Sequence, residues 1–366
     1  MIPYSGDWWL LSPHNRQPIY SQVVFFFVSY SFFIGTAPLD RPACFLSFIG
    51  EPSLLAVLKK TAVLSKADGT VVNYTYNLRR WVEFARVKGL HVFPASVIDV
   101  SLFIAHLSAT CKSSSVIQSS YCALKWVHDL AGVPNPMGNT FLKSLIEGAK
   151  REHTKPVSKK APISSDALEE CCLAHQSCDT LLVRRDISMA LLLFSGFLRY
   201  SEIAQLKIRV VAIFDSHLSL TIRKSKTDQY RKGNEVVIDR SNKVTCPVHN
   251  LERYMRLASI NSDHSTHYLF RPIVHAQTGG KLITQNKPLS YTRARESIIG
   301  RLQEFMNGAD ISLHSFRSGG ATKAANARVP DRHWKRHGRW KSESAKDGYA
   351  EDSLESRLSV SRALGI

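Results

Sequence analysis

Apolar residues in the segment 51–150 recur mainly at spacings of three and four positions. The clearest stretches lie at residues 74–85, 97–107, 115–130 and 140–150. This is the period of α-helices that bury one face. Turn-forming residues such as Gly132-Val133-Pro134-Asn135-Pro136 separate the stretches. The pattern predicts a small bundle of four or five helices with basic faces.

A polar segment follows the bundle. Residues 150–162 contain five lysines and arginines and two prolines, a composition typical of a linker. Beyond it, Ser164-Ser165-Asp166 has the residues of a helix N-cap. The apolar run over residues 186–195 then predicts a buried helix that ends at Gly196.

The hydrophobic pattern next changes to a period of two residues. Alternating apolar positions at residues 211–222 and 235–238 predict two strands that pair across a turn at about residues 226–233. Helical patterns are expected from about residue 247 to the end of the chain. The predicted fold class is therefore mostly α with a small antiparallel β-sheet (α+β).

The charge of the chain indicates a polyanionic partner. The 366 residues carry a formal net charge of +18, and hydrophobic residues make up 44% of the chain, which is typical of a globular protein. The excess is about +8 over residues 51–160 and +10 over residues 161–366, whereas residues 1–50 are neutral. Positive charge spread over two folded segments favours a clamp around DNA over a basic tail.

The seven cysteines form no paired framework and suggest a reducing compartment. Cys171, Cys172, His175 and Cys178 stand at helix-like spacings, but no CxxC knuckle is present, so a buried helix face is favoured over a metal site. Cys246-Pro247-Val248-His249 is interpreted as a turn that enters a helix.

Residues 17–39 carry no charge. Polar residues and a proline interrupt the run, and it lacks a basic region and a cleavage site of a signal peptide. A membrane span or signal anchor stays open as the less favoured alternative. We expect no membrane association and no secretion.

The residues with the clearest chemistry lie in the second half. Arg199 precedes Glu202, and His314-Ser315-Phe316-Arg317 is followed by Trp340 and Tyr349. Two guanidinium groups could bind the non-bridging oxygens of a phosphodiester. Because His314 and Arg317 are three residues apart, both side chains could face the same phosphate.

These motifs resemble the catalytic domain of tyrosine recombinases of the phage integrase and Xer class. In detail they are similar to the recombinases of eukaryotic transposable elements of the Crypton and DIRS type. The order of the family is an arginine with a nearby glutamate, a hairpin lysine, His-x-x-Arg, a histidine or tryptophan, and a tyrosine. The matching residues are Arg199 with Glu202, Lys226, His314, Arg317, Trp340 and Tyr349. Residues 51–150 match the core-binding domain of the family only in position and helical character, and residues 1–50 match nothing.

The resemblance implies a role for each matching residue. Tyr349 would attack the phosphodiester and form a 3′-phosphotyrosine, and Lys226 would protonate the departing 5′ oxygen. Trp340 would donate one hydrogen bond from its indole, with His337 as the alternative at this position. Glu202 would orient a group of the site. No metal ion, ATP or other cofactor is implied.

The resemblance also implies a domain plan and a partner. The predicted segments are an extension of unknown role at 1–50, a helical DNA-clamping domain at 51–150, a basic linker at 151–163 and a catalytic domain at 164–366. The partner is double-stranded DNA, with a tetramer assembled on two DNA sites. The residues proposed to contact DNA are Lys224, Lys232, Arg151, Lys155, Lys159 and Lys160. The expected location is the nucleus in a eukaryote and the cytoplasm otherwise.

Two other functions stay open at this point. One is a non-catalytic, domesticated DNA-binding relative, which the complete residue set disfavours. The other is DNA relaxation of the type IB topoisomerase kind, which the compact spacing of the motifs and the short segment after Tyr349 disfavour.

Overall fold

The computed structural model describes residues 52–156, 158–223, 233–274 and 279–365. The described residues divide into two compact units, with the division between residues 157 and 158. Among these residues, no helix is long and apolar enough to cross a membrane. The uncharged segment 17–39 lies outside the described residues.

In its described residues, 52–156, the first unit is a bundle of five α-helices. They are α1 (Pro52–Val63), α2 (Asp68–Val87), α3 (Val97–Cys111), α4 (Ser114–Ala131) and α5 (Thr140–His153), with a 3₁₀ turn at Pro136–Gly138. The predicted bundle of four or five helices is confirmed. Trp81, Phe103 and Ile117 lie in its core with at most 1% of their surface exposed. A buried hydrogen bond from the Ser120 hydroxyl to Asn77 Oδ1 (3.0 Å) also joins α4 to α2.

The predicted linker begins too early. Helix α5 continues through Arg151 to His153, three residues into the segment assigned to the linker. Glu147 pairs with Lys150 (3.1 Å) and Arg151 (3.7 Å) along the helix, and His153 Nε2 is 2.7 Å from the Ser108 hydroxyl of α3. The polar composition of residues 151–153 suggested a linker, but ion pairs along the helix and the contact with α3 stabilise these residues as the last turn of α5.

The second unit is mostly helical with two small sheets. Its α-helices are α6 (Ser165–Ala174), α7 (Leu181–Ser195), α8 (Tyr200–Ala204), α9 (Pro247–Leu257), α10 (Tyr291–Ala294), α11 (Gly300–Leu302), α12 (Ser315–Asn326), α13 (Asp331–His337), α14 (Glu343–Asp347) and α15 (Leu354–Ala363). A π-helical turn (Arg295–Ile299) joins α10 to α11, and 3₁₀ turns lie at Ile208–Val210, Ser262–His264 and Gln303–Phe305.

Local signals placed several of these elements correctly. Ser164 caps α6 by accepting a hydrogen bond from the Ala167 N–H (3.0 Å), and α7 ends at Ser195 with Gly196 as its C-cap residue. Cys246 caps α9, as the turn interpretation predicted. Cys171 and Cys172 are buried on α6, which agrees with a buried helix face.

The predicted sheet has three antiparallel strands instead of two, because the segment predicted as one strand at residues 211–222 is divided at residues 214–216. Its strands are β1 (Val211–Ile213), β2 (His217–Ile222) and β3 (Asn234–Asp239). Leu218 and Leu220 point to the core, and Leu220 pairs with Val236. The α+β fold class is therefore confirmed.

A second antiparallel pair was not predicted. Strands β4 (Ile273–Val274) and β5 (Lys281–Leu282) pair after α9, so the expectation of helices from residue 247 to the end is wrong in this segment. Gly279 and Gly280 have φ values of +116° and +83°, which favour glycine and a reversal of the chain. Strands of two residues are too short to show a period of two in the sequence.

Candidate active site

Arg199 and Glu202 are placed by the turn between α7 and α8. Phe197 has a left-handed φ of +46°, which redirects the chain so that Arg199 becomes the N-cap residue of α8. The Glu202 carboxylate accepts from the Arg199 backbone N–H (2.9 Å, Oε2) and from its Nη1 (2.7 Å, Oε1). The prediction that Glu202 orients a group of the site is thus consistent with its geometry.

His314 and Arg317 lie at the start of α12. His314 is the N-cap residue and exposed, whereas Arg317 is fully buried in the first turn. The Arg317 Nη1 donates to the Phe197 carbonyl, and its Nη2 donates to the Gly338 carbonyl (2.6 Å). Burial, followed by repulsion from Arg199 and Arg339, lowers the pKa of Arg317 to about 10. The guanidinium therefore remains charged near neutral pH.

Tyr349 lies against these groups. Its hydroxyl is 3.1 Å from His314 Nε2, and its ring lies 5.2 Å from the Trp340 ring between centroids. The Arg317 Cζ atom stands 4.5 Å from the Trp340 ring centroid and 4.9 Å from that of Tyr349. The structure therefore brings His314, Arg317, Trp340 and Tyr349 into one cluster, although the first and the last are 35 positions apart in the sequence.

The Trp340 indole N–H is shielded from solvent, and among the described residues it has no hydrogen-bond partner. A buried donor without an acceptor costs about 1–3 kcal/mol. An oxygen of a bound phosphate would satisfy it. The rings of Trp340 and Tyr349 both lie against the Arg317 guanidinium.

His337, the alternative to Trp340, is used differently. Its Nε2 lies 2.7 Å from the Ser195 carbonyl oxygen, and its ring packs edge-on against Phe197. Burial lowers the pKa of this imidazole. The contacts with Tyr349 and Arg317 therefore come from Trp340.

The segments immediately before and after Tyr349 are each fixed by polar contacts. Before it, the buried Lys346 ammonium on α14 contacts Glu343 (2.8 Å) and Asp331. After it, the Glu351 N–H donates to the Thr322 hydroxyl (3.0 Å), and α12 makes a further hydrogen bond to Ser353. Helix α12 thus carries His314 and Arg317 at one end and fixes the chain after Tyr349 along its length.

The proposed DNA-contacting residues are only partly described. Lys224 and Lys232 lie outside the described residues, as does Lys226, the predicted general acid. The four remaining ones, Arg151, Lys155, Lys159 and Lys160, are all exposed. Of these, Lys160 pairs with Asp310 and Arg151 with Glu147. The proposed contact of these four residues with DNA stays a prediction.

Arg339 is a site residue that the sequence analysis missed. It is buried and donates from Nη2 to Glu202 Oε2 (2.8 Å). Arg339 directly precedes Trp340 in the sequence, but in a chain with 48 lysines and arginines this position alone does not indicate a functional role. A buried partner such as Glu202 is visible only in the structure.

Gly338 is required because the Trp340 ring lies directly over it. A Cβ built at residue 338 would stand 1.8 Å from Trp340 Cζ3. We expect Gly338→Ala to displace the indole and change the near-ultraviolet circular dichroism of the protein. Gly348→Ala is the control, because its Cβ would meet nothing nearer than 3.4 Å. An unchanged spectrum in Gly338→Ala would contradict the observed packing.

Comparison with known structures agrees with this architecture. The site-specific recombinase XerH bound to palindromic difH substrate, in a post-cleavage complex, aligns with a TM-score of 0.57 over 95% of each chain at 13% identity. The pre-cleavage complex of XerH bound to difH substrate gives a TM-score of 0.50 over 94% of this chain and 95% of that chain, also at 13% identity. The chain has the recombinase fold. No protein-family model and no curated protein sequence matches it, and at this identity the likeness concerns the fold.

Proposed function

We propose that this protein is a DNA recombinase or integrase that cuts and rejoins DNA strands through a 3′-phosphotyrosyl intermediate at Tyr349. The observation that carries the proposal is the Tyr349 hydroxyl within hydrogen-bond distance (3.1 Å) of His314 Nε2, beside the Arg317 guanidinium. A phenol needs a base and nearby positive charge to act as a nucleophile. The cluster provides both.

The proposed step exchanges one phosphorus–oxygen bond for another. The Tyr349 oxygen attacks phosphorus, its proton passes to His314, and the bond from phosphorus to the 5′ oxygen breaks. The departing 5′ oxygen takes a proton from a general acid, a role that the family resemblance assigns to Lys226. Because the phosphotyrosine keeps the energy of the broken bond, a 5′ hydroxyl can reverse the step and join a strand without ATP or a metal ion.

Arg199, Arg317 and Trp340 would stabilise the charge that builds on the non-bridging oxygens. The Arg199 side chain is 13% exposed and is the more accessible of the two guanidiniums. Arg317 uses two of its five N–H groups for carbonyls. We infer that the Tyr349 ring shifts as DNA enters, which uncovers Arg317 and the indole N–H of Trp340 together.

Double-stranded DNA is the proposed partner, and a tetramer on two DNA sites is the proposed assembly. The positive charge of both units supports the partner, and in both similar structures XerH is bound to a difH substrate. The family resemblance supports the assembly and an origin in a transposable element of the Crypton or DIRS type.

Covalent trapping tests the proposal. The protein is incubated with nicked duplexes built from candidate element ends, in the presence of a chelator, and protein-bound DNA is then sought in denaturing detergent. We expect a covalent band from the wild-type protein and none from Tyr349→Phe, which retains the ring but has no hydroxyl to attack. Tyr291→Phe, at a half-exposed tyrosine away from this cluster, is the control and should keep the band.

Two outcomes would contradict the proposal. Loss of the band in Tyr291→Phe but not in Tyr349→Phe would move the nucleophile elsewhere. No band on DNA that the protein binds would favour the non-catalytic DNA-binding alternative. If the band forms, relaxation of a supercoiled plasmid by a monomer, without joining of two sites, would favour the topoisomerase alternative.

A further inference from the structure

Arg339 is buried and donates four hydrogen bonds, three of them to residues 196–202 around the turn that carries Arg199. Its Nη2 donates to Glu202 Oε2 (2.8 Å) and to the Phe197 carbonyl (3.1 Å). Its Nη1 donates to the carbonyls of His337 (2.9 Å) and Gly196 (3.3 Å). The side chain thus ties the segment before Trp340 to the turn between α7 and α8.

The backbone of Arg339 is itself unfavourable. Its φ is +60°, a left-handed conformation that is strained for an L-residue and that glycine adopts freely. An arginine at this position is therefore disfavoured by the backbone. Its hydrogen bonds to Glu202 and to the carbonyls of the α7–α8 turn offset this cost.

Glu202 is shared between two guanidiniums, one oxygen each. Arg339 Nη2 and the Arg199 backbone N–H occupy Oε2, whereas Arg199 Nη1 binds Oε1. A carboxylate with both oxygens open would bind an arginine through two parallel hydrogen bonds. With Oε2 occupied, Arg199 engages Glu202 through a single N–H of its guanidinium.

We propose that Arg339 is a positioning residue: it occupies one oxygen of Glu202 and so keeps the remaining N–H groups of Arg199 available for the scissile phosphate. This inference rests on the proposed function. Without Arg339, Oε2 of Glu202 would keep only the Arg199 backbone N–H and would be open to a second N–H of the Arg199 guanidinium. The Arg199 guanidinium would rotate onto the carboxylate and turn fewer donors and less unpaired charge toward DNA.

Arg339→Gly is the most informative variant, because glycine keeps the left-handed backbone and removes only the side chain. At saturating DNA we expect the rate of covalent-complex formation to fall roughly 10- to 100-fold, as for loss of a residue that orients a functional group. DNA affinity should change by no more than about twofold, because phosphate contacts spread over the protein dominate binding. Arg336→Gly, at an exposed arginine three residues earlier, removes the same charge as a control.

A double-mutant cycle separates positioning from a general structural role. In an Arg199→Ala background, Arg339→Gly should cost little further rate, because the group that it positions is already absent. A second arm uses DNA with a neutral methylphosphonate at the scissile position. There the deficits of Arg199→Ala and Arg339→Gly should both shrink, because less negative charge needs stabilisation, whereas the deficit of a damaged fold would persist.

Thermal unfolding of each variant reports whether it folds, and Arg339→Met provides a second replacement if Arg339→Gly is unfolded. If the wild-type protein forms no covalent complex, the proposed function and this inference fall together. Two outcomes with an active wild type would overturn only the inference on Arg339. One is an Arg339→Gly rate equal to that of the wild type. The other is a double mutant whose rate loss equals the sum, in free energy, of the losses in Arg339→Gly and Arg199→Ala.

Discussion

Replacing Arg317 by lysine is expected to slow covalent-complex formation by about 10²–10³-fold at saturating DNA, the loss typical of one preorganised charge-stabilising donor. The positive charge remains in this variant, so the loss would come from geometry. Rates are measured by quenching into denaturing detergent over time.

The geometry explains why one ammonium cannot replace this guanidinium. Arg317 reaches two carbonyls on separate loops, those of Phe197 and Gly338, while its flat face lies against the rings of Trp340 and Tyr349. Lysine has a compact charge without a planar fork. A lysine ammonium cannot hold the carbonyls of Phe197 and Gly338 in this fork geometry while presenting a flat face, so Trp340 and Tyr349 lose the surface that orders them.

Arg332→Lys is the matched control, because Arg332 is exposed on α13. It should cleave at the wild-type rate. Retention of the wild-type rate by Arg317→Lys would show that charge alone suffices and that the observed carbonyl contacts are dispensable. A loss on methylphosphonate DNA as large as on ordinary DNA would assign Arg317 a purely structural role.

Elements with long, regular patterns were predictable from the sequence. The bundle helices and the β2–β3 hairpin bury one face each, so their apolar residues recur with the period of the element, as Leu218 and Leu220 do. The β4–β5 pair was not predictable, because it is formed by two residues per strand and by the backbone freedom of Gly279 and Gly280.

The candidate site was predictable as a set of residues but not as an arrangement. The family resemblance implied that His314, Arg317, Trp340 and Tyr349 belong to one site, and the structure brings them together. The contact of the Tyr349 ring with Arg317 depends on side-chain packing, which cannot be predicted from the order of the residues. Arg339 went unnoticed for the same reason, since its partner lies 137 positions away.

Glu202→Gln is expected to destabilise the folded protein by about 3–5 kcal/mol at neutral pH, the cost of removing one partner from a buried ion pair. Glu202 is 3% exposed and faces two guanidiniums, Arg199 (2.7 Å) and Arg339 (2.8 Å). Glutamine preserves the shape but not the charge, so both cations would be left in a buried site without a counter-ion. The free energy of unfolding is measured by urea titration.

The stabilising contribution of Glu202 depends on pH in a direction that follows from the pKa of its carboxyl group. Burial alone would raise the pKa of Glu202, but Arg339 and the bonds from Arg199 outweigh it and hold the pKa below its ordinary value of 4.5. Protons therefore bind the unfolded state more readily, and the stability that the carboxylate contributes is complete above pH 4.5. That contribution is lost as the pH falls through the lowered pKa of the folded state.

The difference in stability between the wild type and Glu202→Gln should thus be largest near pH 7 and shrink steadily below about pH 4. Glu169→Gln, at an exposed position on α6, should match the wild type within about 0.5 kcal/mol at every pH. A difference for Glu202→Gln that stays constant from pH 7 to pH 3 would mean that its charge is not held by the two arginines. The shared carboxylate, and with it the way Arg199 is presented, would then need another explanation.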